Sequence, residues 1–302
     1  MKVLVVGGTG LVGGWTALEL QRRGYDVSIF ARRPPPPESP MASIPFIQGD
    51  YFSDTNSPAA LEGFDGLVFS ACSDIRHMPQ NGDVPEFFRR ANIDGVPAFM
   101  QIARKAGIRR TVYIGTLYAS LLPSGLAQND PYVSSRIAVD KTLRSMATPD
   151  FGIVTIDIPY AIGAMPGLIP NVFRPIADWA LGRLPEVPLV APGGGSNFMS
   201  LRSVAHAVEG AISGKGENGQ AYLIGDQNIS FQELCRMFFL AAGRNEELPV
   251  TSEEHPLLPD AMLPAGRGGW LRFEPKAANL FQYERNDVQY AVRQVVEQAA
   301  KT

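Results

Sequence analysis

The chain has 302 residues, 45% of them hydrophobic and 19% charged, with a formal net charge of -3. A chain of that length buries one large core, or one core and a smaller lobe; no apolar run approaches the ~20 residues that cross a bilayer, and no basic block gives nucleic acid an electrostatic foothold. Cys72 and Cys235 are too few thiols for a disulfide framework, and a strand beginning at Lys2 with no charged-then-apolar leader before it leads us to expect a cytoplasmic protein.

Residues 2–6 form a short β-branched run, followed by Gly7-Gly8-Thr9-Gly10-Leu11-Val12-Gly13 and then by Leu11, Trp15 and Leu18 at helical spacing, stopped by Gly24. Further strands are expected at 27–30, 46–48, 67–69, 111–114 and 153–158, with helices at 85–105 and 133–146 between the later ones. Such alternation specifies an α/β fold on a Rossmann-type doubly wound parallel sheet. The run of prolines at 34–37 reads as a stiff surface loop.

Past Pro159 prolines and glycines crowd the chain, through Pro166, Pro170, Pro175, Pro185, Pro188, Pro192 and Gly193-Gly194-Gly195. We expect a Rossmann domain over 1–165 and a smaller C-terminal substrate-binding lobe from 166–199 and 226–302. Between the two parts of that lobe, Leu201, Val204, Val208 and Ile212 give a helix and 221–224 a strand, a return to the sheet over about 200–225. Ser230 and Glu233 form a capping box at the start of a helix running toward Ala242, and 249–273 is loop-like and apolar.

The chemistry begins at the glycine turn. A strand that turns sharply into a helix needs glycine where the backbone bends and where a pyrophosphate must approach the helix N-terminus, whose free N–H groups attract it. Gly7, Gly10 and Gly13 are therefore expected to form the turn that holds a dinucleotide, with Thr9, Leu11 and Val12 also touching it.

This stretch resembles the short-chain dehydrogenase/reductase superfamily, in particular its extended branch of epimerases, dehydratases and dihydroflavonol-reductase-like enzymes, and the resemblance covers nearly the whole chain. It implies that Gly49-Asp50-Tyr51 is the adenine-contacting turn after the third strand and that Ser70-Ala71-Cys72 lies beside the nicotinamide ribose. Asn92-Ile93-Asp94-Gly95 matches the family's Asn-x-x-Gly helix segment, which places Asn92 with the cofactor-binding residues. Residues 200–205 fall where the family carries a strand-to-helix step with an aspartate, but Arg202 and Ser203 stand there. The resemblance also suggests a homodimer packed through the Asn92 and Tyr132 helices.

Cofactor choice follows from charge. NAD-selective members end the second strand on an acid that accepts hydrogen bonds from the ribose 2′-hydroxyl; here Ala31 is followed by Arg32 and Arg33, which would hold a 2′-phosphate. NADP(H) is the expected cofactor, with NAD(H) second.

The family reduces carbonyls with a Tyr-x-x-x-Lys pair, in which the ammonium lowers the phenol's pKa and orients the nicotinamide ribose. The matching residues here are Tyr132 and Arg136. A guanidinium one turn away still favours the phenolate, yet it cannot pass on a proton. Lys141 falls elsewhere on the helix. Thr116 matches the hydroxyl that binds the substrate oxygen, with Tyr118 and Ser120 as alternatives, and the short stretch from Thr116 to Tyr132 suggests a trimmed loop over the substrate.

Other candidates are weaker. His77 is read as an exposed loop histidine or an auxiliary acid, His206 and His255 lack partner spacing, and no metal site is expected. Trp179, Trp270, Phe173 and Phe273 line a pocket or fill the second lobe. Nucleotide-sugar members of the family usually carry an arginine just before the strand that leads into the 200–205 step, where it pairs with the sugar diphosphate; Ser196 or Asn197 stands there, unless Arg202 or Arg272 substitutes. The substrate expected is a small, partly apolar carbonyl or alcohol. Two alternatives stay open: a nucleotide-sugar epimerase or dehydratase, and a non-catalytic NAD(P) sensor lacking the family lysine.

Overall fold

The structure is a computed structural model and describes all residues except 54, 75, 76, 79, 123–129, 171 and 264, and the side chain of Ala261. The trimmed loop expected after Thr116 falls largely on 123–129, outside the described residues.

In β1 (Lys2–Val6), Val3 and Val5 enter one apolar cluster while Leu4 and Val6 enter another. Side chains alternate across a strand, so a run apolar at every position is what a sheet covered on both faces requires. The same division holds in β4 (Gly66–Phe69), where Val68 faces one way and Leu67 and Phe69 the other, and in β5 (Arg110–Thr116), where Val112 and Ile114 oppose Tyr113. Each large side chain buried this way contributes about 1.5–3 kcal/mol.

These strands join β2 (Asp26–Ala31), β3 (Phe46–Gln48), β6 (Gly152–Ile158) and β10 (Ala221–Leu223) in a seven-stranded sheet of order β10-β6-β5-β4-β1-β2-β3. All its pairings are parallel. The chain runs from β1 outward to β3, then crosses back to β4 beside β1. The crevice at the carboxyl ends of β1 and β4 is where a sheet of this kind binds its ligand. The expected return to the sheet is realised by β10 and by α7 (Leu201–Ile212), which packs on α1 (Leu11–Arg22).

Three elements differ from the sequence expectation. On α1 the buried face is Gly13, Thr16, Ala17 and Leu20, with Leu11, Trp15 and Leu18 only half-buried at its side; close approach of helix to strand selects small residues. The helix expected at 85–105 is α2 (Val84–Phe88), a π-helical turn (Arg89–Asp94) and α3 (Gly95–Lys105). The third is the edge of the second lobe. β7 (Tyr160–Ile162) leaves the large sheet at Pro159 and pairs with β9 (Gly195–Ser200), so the smaller sheet begins before residue 166. β11 (Gln227–Ser230) and β13 (Trp270–Leu271) complete it on either side of β9.

The second lobe's core gathers Trp179 from α6 (Arg174–Ala180), Phe238 and Phe239 from α8 (Phe231–Ala241) and Val292 and Val295 from α10 (Val288–Ala300). The Ser230 hydroxyl accepts the Glu233 N–H and starts α8 as expected. The short strands β8 (Ala191–Pro192) and β12 (Val250–Thr251) pair with each other within the proline-rich and loop-like segments. α9 (Ala278–Phe281) belongs instead to the Rossmann layer. Phe281 and Tyr283 join that cluster, and a Cβ at Gly210 of α7 would stand 2.6 Å from the Phe281 carbonyl oxygen.

Candidate active site

Three glycines of the turn lack a side chain for three reasons. Gly7 has φ +79°, and a Cβ there would meet the Ala71 nitrogen at 2.6 Å, so the β1 and β4 turns touch backbone to backbone. At Gly13 a Cβ would lie 2.4 Å from the Gly7 carbonyl oxygen. At Gly10 the nearest protein atom would be 3.5 Å away, an ordinary contact. None of the described residues requires glycine at that exposed position, which leaves the space open for a phosphate. Gly10 also opens α1 with no side-chain cap and no acid in the first turn, which leaves the helix N-terminus to an anion. The turn fits a dinucleotide, with Thr9 half-buried beside it and Leu11 and Val12 in the first helical turn.

At the end of β2, Arg32 and Arg33 are both exposed, and neither has an ion pair among the described residues. Asp50 lies half-buried after β3, next to them in the sheet. Tyr51 departs from the expected adenine contact: its ring is buried against Phe69 and its hydroxyl bonds Ser73 Oγ at 2.7 Å. What remains there for a nucleotide is backbone and Asp50. Asn92 is also buried, donating to the Ser73 carbonyl at 3.2 Å and to Ser135 Oγ at 3.0 Å. The π-helical turn aims that amide inward, so Asn92 ties the loop after β4 to α5 (Pro131–Ser145) without reaching the cleft.

Tyr132, Arg136 and Thr116 come together in a cleft of about 230 Å³ with Val12, Ser70, Cys72, Ile114, Leu117, Tyr118, Ile158, Pro159 and Tyr160. Asp130 caps α5 by accepting the Tyr132 and Val133 N–H groups, with Pro131 in the first turn, which fixes where Tyr132 emerges. Its hydroxyl lies 3.2 Å from Cys72 Sγ, and its ring rests on Phe88. Burial holds this phenol above its ordinary pKa, with the Arg136 charge opposing.

Arg136 is 5% exposed. Its Nη2 donates to the Ile114 carbonyl at 2.5 Å, its guanidinium stands over Tyr113, and its Nε has no partner among the described residues. A buried guanidinium with an unbonded N–H is costly, and its place in the cleft wall suits the hydroxyls of a ribose. Thr116 ends β5 and caps α4 (Leu117–Leu121) by accepting the Tyr118 N–H at 3.5 Å, which leaves its own proton to donate. The alternatives to it are committed elsewhere, the Ser120 hydroxyl to Asp157 Oδ2 at 2.9 Å and the Tyr118 hydroxyl to Tyr160 at 3.2 Å.

Asp157 and Tyr160 were not expected. Asp157, 1% exposed, interrupts the apolar run Ile153-Val154-Thr155-Ile156, and a carboxylate inside such a strand is the signal that would have found it. Tyr160 also borders a void no larger than a water molecule, with Ser196, Phe231, Leu263 and Leu271.

The remaining candidates stay away from the cleft. Lys141 and His77 are exposed, His77 beside Asp74 at 3.3 Å. His206 does have a partner, Glu19 at 3.5 Å, and His255 packs edge-on to Trp179. Trp179 and Phe173 fill the second lobe's core; Trp270 packs over Gly195 and Phe273 over Gly225, and none of the four lines the cleft or that void. Arg202 is held by Asp287 at 3.0 Å and by Glu284, and Arg272 stacks on Trp270. Asp287, which also accepts the Ser200 hydroxyl at 2.6 Å, supplies from far along the chain the carboxylate expected at the 200–205 step. Among the described residues no three His, Cys, Asp or Glu side chains are grouped to hold a metal, and no helix is long and apolar enough to cross a membrane.

Comparison with known proteins agrees with this geometry. The chain is 25% identical over 299 residues to a 3-beta-hydroxysteroid dehydrogenase of Mycolicibacterium neoaurum, covering 90% of this chain and 77% of that protein. It is 30% identical over 254 residues to the sterol demethylase protein B of Methylococcus capsulatus, covering 78% and 73%. The fold matches the crystal structure of UDP-glucose 4-epimerase from Bifidobacterium longum in complex with NAD+ and UDP, with a TM-score of 0.77 over 100% of this chain and 99% of that one at 18% identity. Residues 3–225 match the model of the NAD dependent epimerase/dehydratase family, and the chain belongs to that family of NAD(P)-dependent enzymes, the extended short-chain dehydrogenases/reductases.

Proposed function

We propose that this protein is an NADP(H)-dependent reductase or dehydrogenase of a small, partly apolar carbonyl or alcohol, with Tyr132 as its proton donor. The observation that carries the reading is the meeting of Tyr132, Thr116 and Arg136 in one cleft at the mouth of the sheet's switch point. When bound, the nicotinamide nucleotide supplies or accepts a hydride. The protein's own residues do the rest. Burial keeps Tyr132 protonated, so its O–H is available to a carbonyl oxygen, while Thr116 donates a second hydrogen bond to that oxygen and fixes its position. Arg136 lies close enough to stabilise the phenolate left behind. Arg32 and Arg33 offer positive charge to a 2′-phosphate.

Substrate class is argued from the walls. Leu117, Ile158 and Pro159 in the cleft are apolar, and among the described residues no arginine other than Arg136 lines it to pair with a sugar diphosphate. The steroid and sterol relatives point the same way. A panel of aromatic and alicyclic ketones with NADPH tests the reading, with UDP-glucose and dTDP-glucose as controls. We expect NADPH oxidation with at least one ketone, lowered about 100-fold or more by Tyr132→Phe with NADPH affinity nearly intact, because general acid catalysis contributes ~10²–10⁴-fold. Conversion of either nucleotide sugar reverses the ranking, and tight NADPH binding with no turnover of any substrate identifies a sensor.

A further inference from the structure

Asp157 is a buried ionisable group for which the chemistry above has no use. It sits near the end of β6, in register with Gly115 of β5. Oδ1 accepts the Thr116 amide N–H at 3.1 Å and Oδ2 accepts the Ser120 hydroxyl at 2.9 Å. Gly115 makes the room, since a Cβ there would stand 1.9 Å from Oδ1; glycine weakens a strand interior and marks such a close approach. The two bonds clamp both ends of the turn where β5 passes into α4, and Thr116 lines the cleft from that turn together with Leu117 and Tyr118.

We propose that Asp157 is a positioning residue whose carboxylate, by holding the Thr116 N–H and the Ser120 hydroxyl at once, sets the direction in which the Thr116 hydroxyl meets a substrate oxygen, and that proton uptake by Asp157 loosens this hold. The functional half of the inference rests on the reading of Thr116 given above. A carboxylate accepts both bonds with charge assistance. Once protonated, one oxygen becomes a donor and the remaining bond to the Thr116 N–H loses about half its strength.

The groups around Asp157 place that change in the neutral range. Burial and the negative charge of Asp140 on α5 raise its pKa, the bonds from Ser120 and Thr116 and the charge of Arg136 lower it, and the balance stands at about 7. Tyr113 of β5 also faces it. α4 and β10 contain no charged residue, and on α7 Arg202, His206 and Glu209 pair with Asp287, Glu19 and Arg23 instead.

The test follows the Thr116 amide by ¹⁵N–¹H NMR of the full chain from about pH 5 to 9. We expect an inflection near neutrality that disappears in Asp157→Asn, moves to higher pH in Ser120→Ala, which loses a bond to the charged form, and moves to lower pH in Asp140→Asn, which loses a repelling charge. A carboxylate of purely structural role, fixed in one state, gives no such opposed shifts. An inflection that survives Asp157→Asn, or no inflection at all, overturns the proposal. With a ketone that the enzyme reduces, kcat should fall on the acid side with the same inflection and the same shifts while KM for NADPH holds; a flat kcat beside a titrating amide also overturns it. If the amide titrates as described and no ketone is reduced, Asp157 holds Thr116 and the reductase reading alone fails.

Discussion

On the β1 side of the cleft the chain works with backbone, bringing Gly7 against the Ala71 nitrogen and Gly13 against the Gly7 carbonyl, whereas on the β5 and β6 side it works with buried ionisable side chains, Arg136 and Asp157. The first wall has little to adjust. Its shape is set by contacts between backbone atoms, and it presents N–H groups whatever the pH. The second wall depends on protonation and on hydrogen bonds among side chains, and the contacts that maintain it come from β5, β6, α4 and α5 together. A cofactor common to a whole family suits the rigid wall. In the function proposed above, the adjustable wall meets the substrate through Thr116 and Tyr132 and the nicotinamide ribose through Arg136.

The comparison is broken most severely at Gly13. Gly13→Ala forces a Cβ to within 2.4 Å of a backbone oxygen that cannot rotate away. Overpacking of this kind costs about 3 kcal/mol, and the melting temperature should fall by roughly 5 °C. Gly10→Ala meets nothing closer than 3.5 Å and should melt within about 1 °C of the wild type while losing about tenfold or more in nucleotide affinity. Calorimetry with and without NADPH checks both. Equal melting of the two variants would show that the turn is not rigid in the sense argued here.

On the other wall the largest effect is expected at Arg136. Arg136→Met removes the charge nearest the Tyr132 phenol and should lower kcat/KM about 100-fold and loosen the cofactor, while Arg136→Lys keeps the charge, regains the ability to share a proton and should retain or raise activity. Steady-state kinetics with a ketone that the wild type reduces separates them. If methionine is tolerated, the Tyr132 phenol does not depend on this charge.

How much of this could be read from residues alone follows the same division. The glycine turn, the strands of the large sheet and the Tyr132 helix are local, carried by β-branched runs, helical spacing and a turn of fixed length. Much of the rest depends on residues distant in sequence. Asp157 follows no motif, and its role exists only once Gly115 and Ser120 are beside it. Asp287 supplies the carboxylate missing near Arg202 from the far end of the chain. Tyr51 and Asn92 carry hydroxyl and amide groups suited to a nucleotide, and only packing shows them bonded to Ser73 and Ser135. The smaller sheet depends on β13, a strand of two residues that spacing does not announce.

A smaller effect tests whether the adjustable wall is also a cost to stability. The folded Asp157 carboxyl titrates at about 7, above the ~4 of an unfolded aspartate, so the folded state binds its proton more tightly. The stabilisation from that proton is complete below about pH 4 and is lost as pH rises through 7. Asp157→Asn does not titrate. Its melting temperature relative to wild type should therefore be higher at pH 8 than at pH 5, by about 3 °C for a difference of roughly 2 kcal/mol. A pH-independent difference would mean that Asp157 carries the same charge in both conditions.

The smallest effect belongs to the outer rim of the rigid wall, where cofactor choice is decided by charge rather than by shape. Arg32 is exposed at the end of β2, has no ion pair among the described residues, and has its carbonyl held by the Gln48 amide at 3.2 Å. Its side chain is therefore free to turn toward a phosphate on the ribose. An exposed charge pair is screened by water and salt, so the change expected is modest. Arg32→Asp should weaken NADPH about tenfold through lost attraction and new repulsion, and bring NADH level with it or above, because aspartate accepts hydrogen bonds from the 2′-hydroxyl. Raising the salt concentration should narrow the wild-type preference for NADPH and leave NADH affinity unchanged. Titrations of both nucleotides at two ionic strengths decide the matter. If the variant keeps its full NADPH affinity, the arginines at this rim are solvated surface charge, and whatever selects the nucleotide lies elsewhere on the turn.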